Sequence, residues 1–334
     1  MPATLDDVAR QARVSKSTAS RALSVPGRVN ATTAARVRQA AAALNYVSHG
    51  VARALTTRRT RTIGAVIPTL ENAIYATSAH AMEQRLQKAG YMLLVACHEF
   101  DLDLETSAVE ALVSRGVDGI ALVGLEHRKK TMALLERAHV PYVLTWNLER
   151  GRQPCVGFDN REAGFLVTDY LVRLGHRNFG VIAGITAGND RAASRLAGIR
   201  DALAKAGIKL NDHQVVEKAY SLEGGQDGLS TLLGKPPKRT AIVCGNDILA
   251  IGAIHEARGR RIEIPAELSI TGFDDMPLAA MSVPPLTTVH FPMAEVGINA
   301  AMHLLNALGE SDEVPERELP VRLVVRGSTD RPRR

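Results

Sequence analysis

The chain has 334 residues, 46% of them hydrophobic and 23% charged, which is enough for two or three domains with their own cores and too apolar for a disordered chain. No run approaches the ~18 apolar residues of a membrane helix and the polar N-terminus shows no signal-peptide pattern, so a cytoplasmic protein without a membrane segment is expected. Charge is split: residues 1–61 carry eleven Arg or Lys against only Asp6 and Asp7, a net +9, and the rest stands at −3 within an overall +6. Such a basic module points to a polyanion partner, the alternative being a solvated basic face.

From Thr4 the chain reads as two short helices around a tight turn. Thr4 can cap the first helix with Asp7 placed to answer back, and Leu5, Val8, Ala9 and Ala12 follow at helical spacing. Arg13-Val14-Ser15 interrupts the run, and Ser15 can cap a second helix. In that helix Ala19, Ala22 and Leu23 face inward, leaving Lys16, Ser17, Ser20 and Arg21 outward. A short polar, cationic face is what a helix-turn-helix sets in the major groove; an ordinary surface hairpin is the other reading of these twenty residues. Ser24 to Gly27 is a turn, Asn30 a further cap, and a third helix spans about Ala31 to Asn45 with Val37, Ala40, Ala41 and Leu44 on one face. Gly50 to Thr57 (GVARALTT) has the composition of a linker but carries helix formers, and a helix of about eight residues cannot stand alone in water.

From Thr62 strands and helices alternate. Ile63–Pro68, Tyr91–Ala96, Gly119–Val123 and Tyr142–Thr145 read as strands, with helices at Ala73–Ala89, Leu104–Arg115 and Thr131–Ala138 between them. A second series starts near Asp159: helix Glu162–Leu174, strand Asn178–Ala183, helix Asp190–Ala206, a strand near Val215 and a helix at about Glu223–Leu233. Strand Ala241–Cys244, helix Asp247–Arg258 and strand Leu268–Thr271 follow. Alternating βα units mean parallel sheets covered by helices, and two series mean two Rossmann-like lobes with a cleft at the carboxyl ends of their strands.

The N-terminal stretches LDDVARQARVSKSTASRAL, VNATTAARVRQAAAALNYV and VARAL resemble the lactose-repressor (LacI) family of bacterial regulators. The resemblance continues through VGFDN, LGHRNFGVIAG, ASRLAGIRDAL, CGNDILAIGA, IPAELSITGFDDMPLA, PPLTTV and LVVRGST, and so covers essentially the whole chain. It implies an N-terminal three-helix, helix-turn-helix DNA-binding domain (1–49), a hinge helix and linker (50–61), and an effector-binding and dimerisation domain (62–334). That α/β body of two lobes resembles periplasmic sugar-binding proteins. Lobe one would take about 62–160 and 291–320, lobe two about 161–290 and 321–330, with crossings near Asn160, Phe291 and Pro320.

Carried over by position, the resemblance implies operator contacts from Thr4, Lys16, Ser17, Thr18, Ser20, Arg21 and Asn30, and from Ala52 and Leu55 in the hinge. Arg21 can offer a bidentate fork to guanine. Leu55 falls where the family wedges an apolar side chain into the minor groove, its alternative being packing on the neighbouring domain. The effector cleft would draw on Asn72, Tyr75, Trp146, Asn147, Phe158, Asp159, Arg195, Asn246 and Asp274. Short polar residues and an Arg at strand ends suit hydroxyl recognition, so a sugar or sugar acid is the expected effector. Arg195 leads the set, since an inward Arg wants an oxygen-rich partner, whereas Asn246 is equally a helix cap. One position departs from the family: Asn72-Ala73-Ile74 stands where Asn-Pro-Phe is usual, removing the customary stacking ring. Trp146, the single tryptophan, reads either as an aromatic face for the ligand or as a residue packed between the lobes.

Enzyme signatures are missing. There is no GxSxG elbow, no GxxxxGK[ST] loop and no GxGxxG opening a helix, and the ten histidines lack metal-ligand spacing. Cys97, Cys155 and Cys244 are odd in number and far apart, which fits a reducing compartment. The expectation is a DNA-binding regulator, a repressor by resemblance, without cofactor or metal. Its partners would be double-stranded operator DNA, a small-molecule effector and a second copy of the chain, with no membrane. A solute-binding protein or a sugar-processing enzyme on the same α/β body is the alternative, opposed by the basic module and the missing signal peptide and motifs.

Overall fold

The computed structural model describes residues 3–24, 27–46, 59–148, 151, 153–234 and 236–333. The hinge segment, with Ala52 and Leu55, lies outside the described residues. Two compact units are present, one of residues up to Thr62 with Gly116–Asp118, the other of Ile63–Arg115 and Gly119–Arg334.

The first unit holds α1 (Leu5–Gln11), α2 (Lys16–Ser24) and α3 (Ala31–Ala43). Thr4 and Asp7 close the expected capping box: Asp7 N–H donates to Thr4 Oγ1 at 3.3 Å and Thr4 N–H to the Asp7 carboxylate at 3.0 Å. Arg13, at φ +51°, turns the chain between α1 and α2. Val8, Ala12, Ala19 and Val37 are fully buried, so alanine's small side chain lets three short helices close on one valine-centred core. Asn30 caps α3, its Oδ1 accepting from Thr32 N–H at 2.9 Å.

The second unit contains two sheets. In the first, β2 (Met92–Cys97), β1 (Thr62–Ile67), β3 (Gly119–Val123), β4 (Tyr142–Thr145) and β5 (Cys155–Val156) lie in the order 2-1-3-4-5. The second runs β11 (Arg322–Val324), β10 (Thr287–His290), β9 (Ser269–Asp274), β8 (Ala241–Cys244), β6 (Phe179–Gly184), β7 (Val215–Lys218). Its pairs are parallel except β10 with β11. Read from β6, this is the same doubly wound order, so each sheet has its switch point beside its first strand.

Helices α4 (Ala73–Lys88), α5 (Leu102–Ser114) and α6 (Lys129–Ala138) belong to the first series. Helices α7 (Asn160–Leu174), α8 (Asp190–Lys205), α9 (Leu222–Leu233) and α10 (Asp247–Gly259) belong to the second. Five elements escaped the periodicity reading: β5, β10, β11, α11 (Pro277–Met281) and α12 (Met293–Ala307). The strands are two to four residues long, too short for a period, and α12 starts behind Pro292 without a side-chain cap. α12 packs back on α4, where Gly297 sits so close that a Cβ would lie 2.0 Å from Ser78 O.

The same device joins α7 to α8. A Cβ on Gly164 would meet Arg195 O at 2.1 Å, and one on Gly198 would meet Arg161 O at 1.9 Å. The α7–α8 separation therefore depends on two missing side chains, and with it the position of Arg191 and Arg195 on α8. Gly198→Ala should lower the unfolding free energy by about 1–3 kcal/mol, as overpacking of a closed contact does. Gly259→Ala, at an exposed helix end with open space around it, is the control and should not destabilise. Urea melts of the two variants giving equal midpoints would show that the helices separate freely.

Candidate ligand cleft and nucleic-acid interface

In doubly wound sheets ligands lie beyond the carboxyl ends of the strands, and here both sheets contribute those ends to one cavity. Its lining comprises Asn72 and Tyr75 after β1, Trp146 after β4, Phe158 and Asn160 at the start of α7, and Arg191 and Arg195 on α8. Ile74 on α4, Tyr220 after β7, Asn246 after β8, Asp274 ending β9 and Phe291 after β10 complete it.

An aromatic seam forms the floor. Trp146 meets Tyr75 edge-on with centroids 5.0 Å apart and Phe158 at 6.0 Å; Phe158 stacks on Phe291 at 4.2 Å, and Phe291 on Phe273 at 6.0 Å. Trp146 takes a left-handed φ of +71°, closed by Asn160 Nδ2 donating to Trp146 O at 2.8 Å. Its indole is both packed, at 3% exposure, and part of the lining, so the two sequence readings describe one residue. The ring absent at Ile74 is made up by Tyr75, Trp146, Phe158, Tyr220 and Phe291 together.

Over the seam lies Arg195, its guanidinium 5.6 Å from the Phe273 centroid and 5.8 Å from that of Phe291. Nη1 donates to Asn160 Oδ1 at 2.6 Å and Nη2 to Tyr220 OH at 3.0 Å, while Nε is buried without a partner. Asn246 caps α10 by accepting from Leu249 N–H at 2.9 Å, and its Nδ2 is likewise buried and unpartnered. Asp274 is 2% exposed, sits at φ +111°, and has an unpartnered Oδ2; burial, with Asp247 nearby, pushes its carboxyl well above the usual range.

Arg191 is 4% exposed and donates to Asp190 Oδ1 at 2.7 Å and Val123 O at 3.4 Å. Asp190 Oδ2 in turn accepts from Leu125 N–H at 3.0 Å and Asn147 Nδ2 at 2.7 Å, tying the first turn of α8 to loops after β3 and β4. Gly124 makes room for this: a Cβ there would lie 2.1 Å from Arg191 Nη1, and its φ of +96° suits glycine.

Of the residues expected from sequence, Asn72, Tyr75, Trp146, Phe158, Arg195, Asn246 and Asp274 line the cavity. Asn147 and Asp159 stand outside the lining. The Asn147 amide is committed to Asp190, and Asp159 caps α7 through Arg161 N–H and Glu162 N–H at 2.8 and 2.9 Å. Arg191 and Tyr220 were missed, and Asn160 and Phe291 were read only as crossing points. An Arg in a helix's first turn, where the dipole disfavours it, was the available signal for Arg191.

On α2, Lys16, Ser17 and Arg21 are exposed while Thr18 and Ser20 are half-buried. Lys16 Nζ reaches Asp6 at 2.7 Å; Arg21 donates to Ser17 O at 3.1 Å and Ser17 Oγ at 3.3 Å. Ser15 Oγ caps α2 through Thr18 N–H at 3.2 Å. Exposed pairs of this kind are worth at most ~1 kcal/mol, so they orient the cations without holding them from a stronger anion. Thr4 and Asn30, engaged as caps, stand at the helix starts, where free backbone N–H groups favour phosphate.

A helix-turn-helix and a two-lobed ligand cleft in one chain define a ligand-controlled DNA-binding regulator. Residues 4–49 match the family described as bacterial regulatory proteins, lacI family, and residues 168–329 match a periplasmic binding protein-like domain. Catabolite control protein A of Priestia megaterium is 32% identical over 332 residues, covering 98% of this chain and 100% of that protein. The HTH-type transcriptional repressor PurR of Pasteurella multocida is 31% identical over 329 residues, 98% of each chain. The crystal structure of the lac repressor dimer bound to operator and the anti-inducer ONPF matches with a TM-score of 0.87 at 26% identity, covering 99% of this chain and 100% of that one. The chain belongs to the LacI family.

Beneath the cleft Asp247 accepts from Thr288 Oγ1 at 2.5 Å and Met276 N–H at 2.8 Å, holding the loop that carries Asp274. Burial outweighs these bonds and pushes its carboxyl from about 3.8 up to about 7. A carboxyl raised on folding binds its proton more tightly in the native state. Its stabilisation is therefore complete below pH about 3.8 and is lost as pH rises through about 7. Asp247→Asn should flatten this decline, giving a smaller loss of unfolding free energy between pH 4 and 7 than in the parent chain. Parallel stability–pH curves for the two would rule out Asp247 as the titrating group.

Proposed function

We propose that this protein is a sequence-specific transcriptional repressor that acts as a homodimer in the cytoplasm. Its operator affinity is set by a sugar or sugar acid bound between the two lobes. The observation that carries the reading is the Arg195–Asn246–Asp274 constellation over an aromatic floor, in a chain whose other unit presents Lys16, Ser17 and Arg21 on one exposed helix. Polar groups that alternate donors and an acceptor around an apolar face suit a ring with hydroxyls on its edge and C–H groups on its face. In this reading the cleft binds its ligand without transforming it. Residues 1–49 read DNA, 50–61 form the hinge, and 62–334 bind effector and dimerise, two copies being needed for two operator half-sites.

Binding to the DNA upstream of its own gene, followed by fluorescence anisotropy with random DNA as competitor, tests the first half. Arg21→Ala should weaken operator binding by roughly 1–3 kcal/mol and relax the preference at one base pair per half-site. An equal loss on random DNA would make Arg21 a phosphate contact.

Arg195→Ala tests the second half. DNA affinity without effector should be retained, while the response to an effector found by thermal shift disappears, since losing a charged hydrogen bond of this kind costs roughly 2–5 kcal/mol. An unaltered effector response would leave Arg195 as packing over Phe273 and Phe291.

A further inference from the structure

We infer that the effector is an anion, a polyol bearing a carboxylate, and that the uncancelled positive charge of the Arg191–Arg195 pair selects for that acid group. The inference rests on the proposed effector cleft and narrows its ligand from sugars in general to sugar acids. Three independent features of the cavity point the same way.

The first is charge. Arg191 and Arg195 lie four residues apart on α8, hence on one face a turn apart, and both line the cavity. Two like charges at this spacing oppose one another, and burial makes the opposition worse. Arg191 has one compensating carboxylate, Asp190. The hydrogen-bond partners of Arg195 are neutral, the Asn160 amide and the Tyr220 hydroxyl. Asp274 is the one carboxyl in the lining, and its burial favours the protonated form. The described cavity therefore carries positive charge that its own side chains do not cancel.

The second is the backbone. Four helices open on the cavity at their N-termini: α4 through its cap Asn72, α7 through Asn160, α8 through Arg191 and α10 through its cap Asn246. They are 16, 15, 16 and 13 residues long, so each presents a developed positive dipole end. The third is hydrogen-bonding demand. Arg195 Nε and Asn246 Nδ2 are buried donors without partners, and the carboxyl oxygen Asp274 Oδ2 is buried and unpartnered beside them. Asp274 adds an O–H donor in its protonated form, so a ligand richer in acceptors than donors satisfies this set, and a carboxylate supplies acceptors without adding a donor. The floor of Phe158, Phe291 and Trp146 remains for the carbon skeleton.

Matched probes that share a skeleton and differ only in the acid group test this: glucuronate against glucose, galacturonate against galactose, and gluconate against glucitol. Thermal shift and Trp146 emission are the readouts on the full chain. The acid of at least one pair should bind about 10- to 100-fold tighter than its neutral partner, the ratio a charged hydrogen bond provides. Arg191→Gln should bring that ratio close to one, and Arg191→Lys should restore part of it. The comparison on the parent chain stands by itself if Arg191→Gln fails to fold, which loss of operator binding without ligand would reveal. Neutral members binding as well as the acids would overturn the anion assignment and leave the polyol reading intact. Silence from every pair, with a response to an unrelated class such as a nucleobase, would overturn both.

Discussion

Asp190 is the constraint on which the geometry of the cleft depends. One carboxylate at the start of α8 accepts hydrogen bonds from Leu125 N–H and Asn147 Nδ2 in the first lobe and from Arg191 in the second. Each bond is charge-assisted, and the site is largely shut off from water, so the clasp is stronger than a surface pair. It also joins loops from two sheets that meet as well through the aromatic seam and through Asn160 Nδ2 on Trp146 O. The seam supplies adhesion without direction, whereas the clasp supplies direction. Together they fix where α8, and with it Arg191 and Arg195, stands against the loops after β3 and β4.

Such a closed arrangement gives the ligand something to shift. An effector changes an equilibrium only by its differential affinity for two states, and closure is a state in which its contacts from both lobes are made simultaneously. Arg191 lines the cavity while it is bonded to Asp190 and to Val123 O, so one side chain touches both the proposed ligand space and the contact between the lobes. A ligand acid drawing on Arg191 would draw on the clasp as well. The coupling needs no longer pathway than one side chain.

Much of this was legible in the amino-acid sequence for identifiable reasons. Strands such as β3, β6 and β8 are short apolar runs bounded by turns, whereas Asp159, read from sequence as an effector contact, proves to cap its helix. The α12 helix announced nothing because Pro292 gives it no side-chain cap, although Val296, Ala300 and Leu304 are fully buried. In the cleft, Arg195 and Asp274 were reachable by position. For Arg191 the one local hint was its place in a helix's first turn, which does not say that it is buried; its burial is created by Gly124, 67 residues earlier, folding against it. Tyr220 was hidden likewise in the short connection between β7 and α9.

For Asn246 the sequence left a choice between helix cap and ligand contact, and the geometry dissolves it. Capping uses the amide oxygen, which accepts from Leu249 N–H, and leaves the amide nitrogen buried without a partner on a residue that lines the cavity. Asn72 repeats the arrangement, its Oδ1 accepting from Ile74 N–H at 3.4 Å. An asparagine that caps a helix at a strand's carboxyl end thus presents a donor to whatever occupies the crevice. The fold repeats that junction after β1 and after β8, so both asparagines owe their place in the lining to helix initiation. Capping and donor-rich recognition are then one requirement, and an acceptor-rich ligand is what such a cleft is built to take.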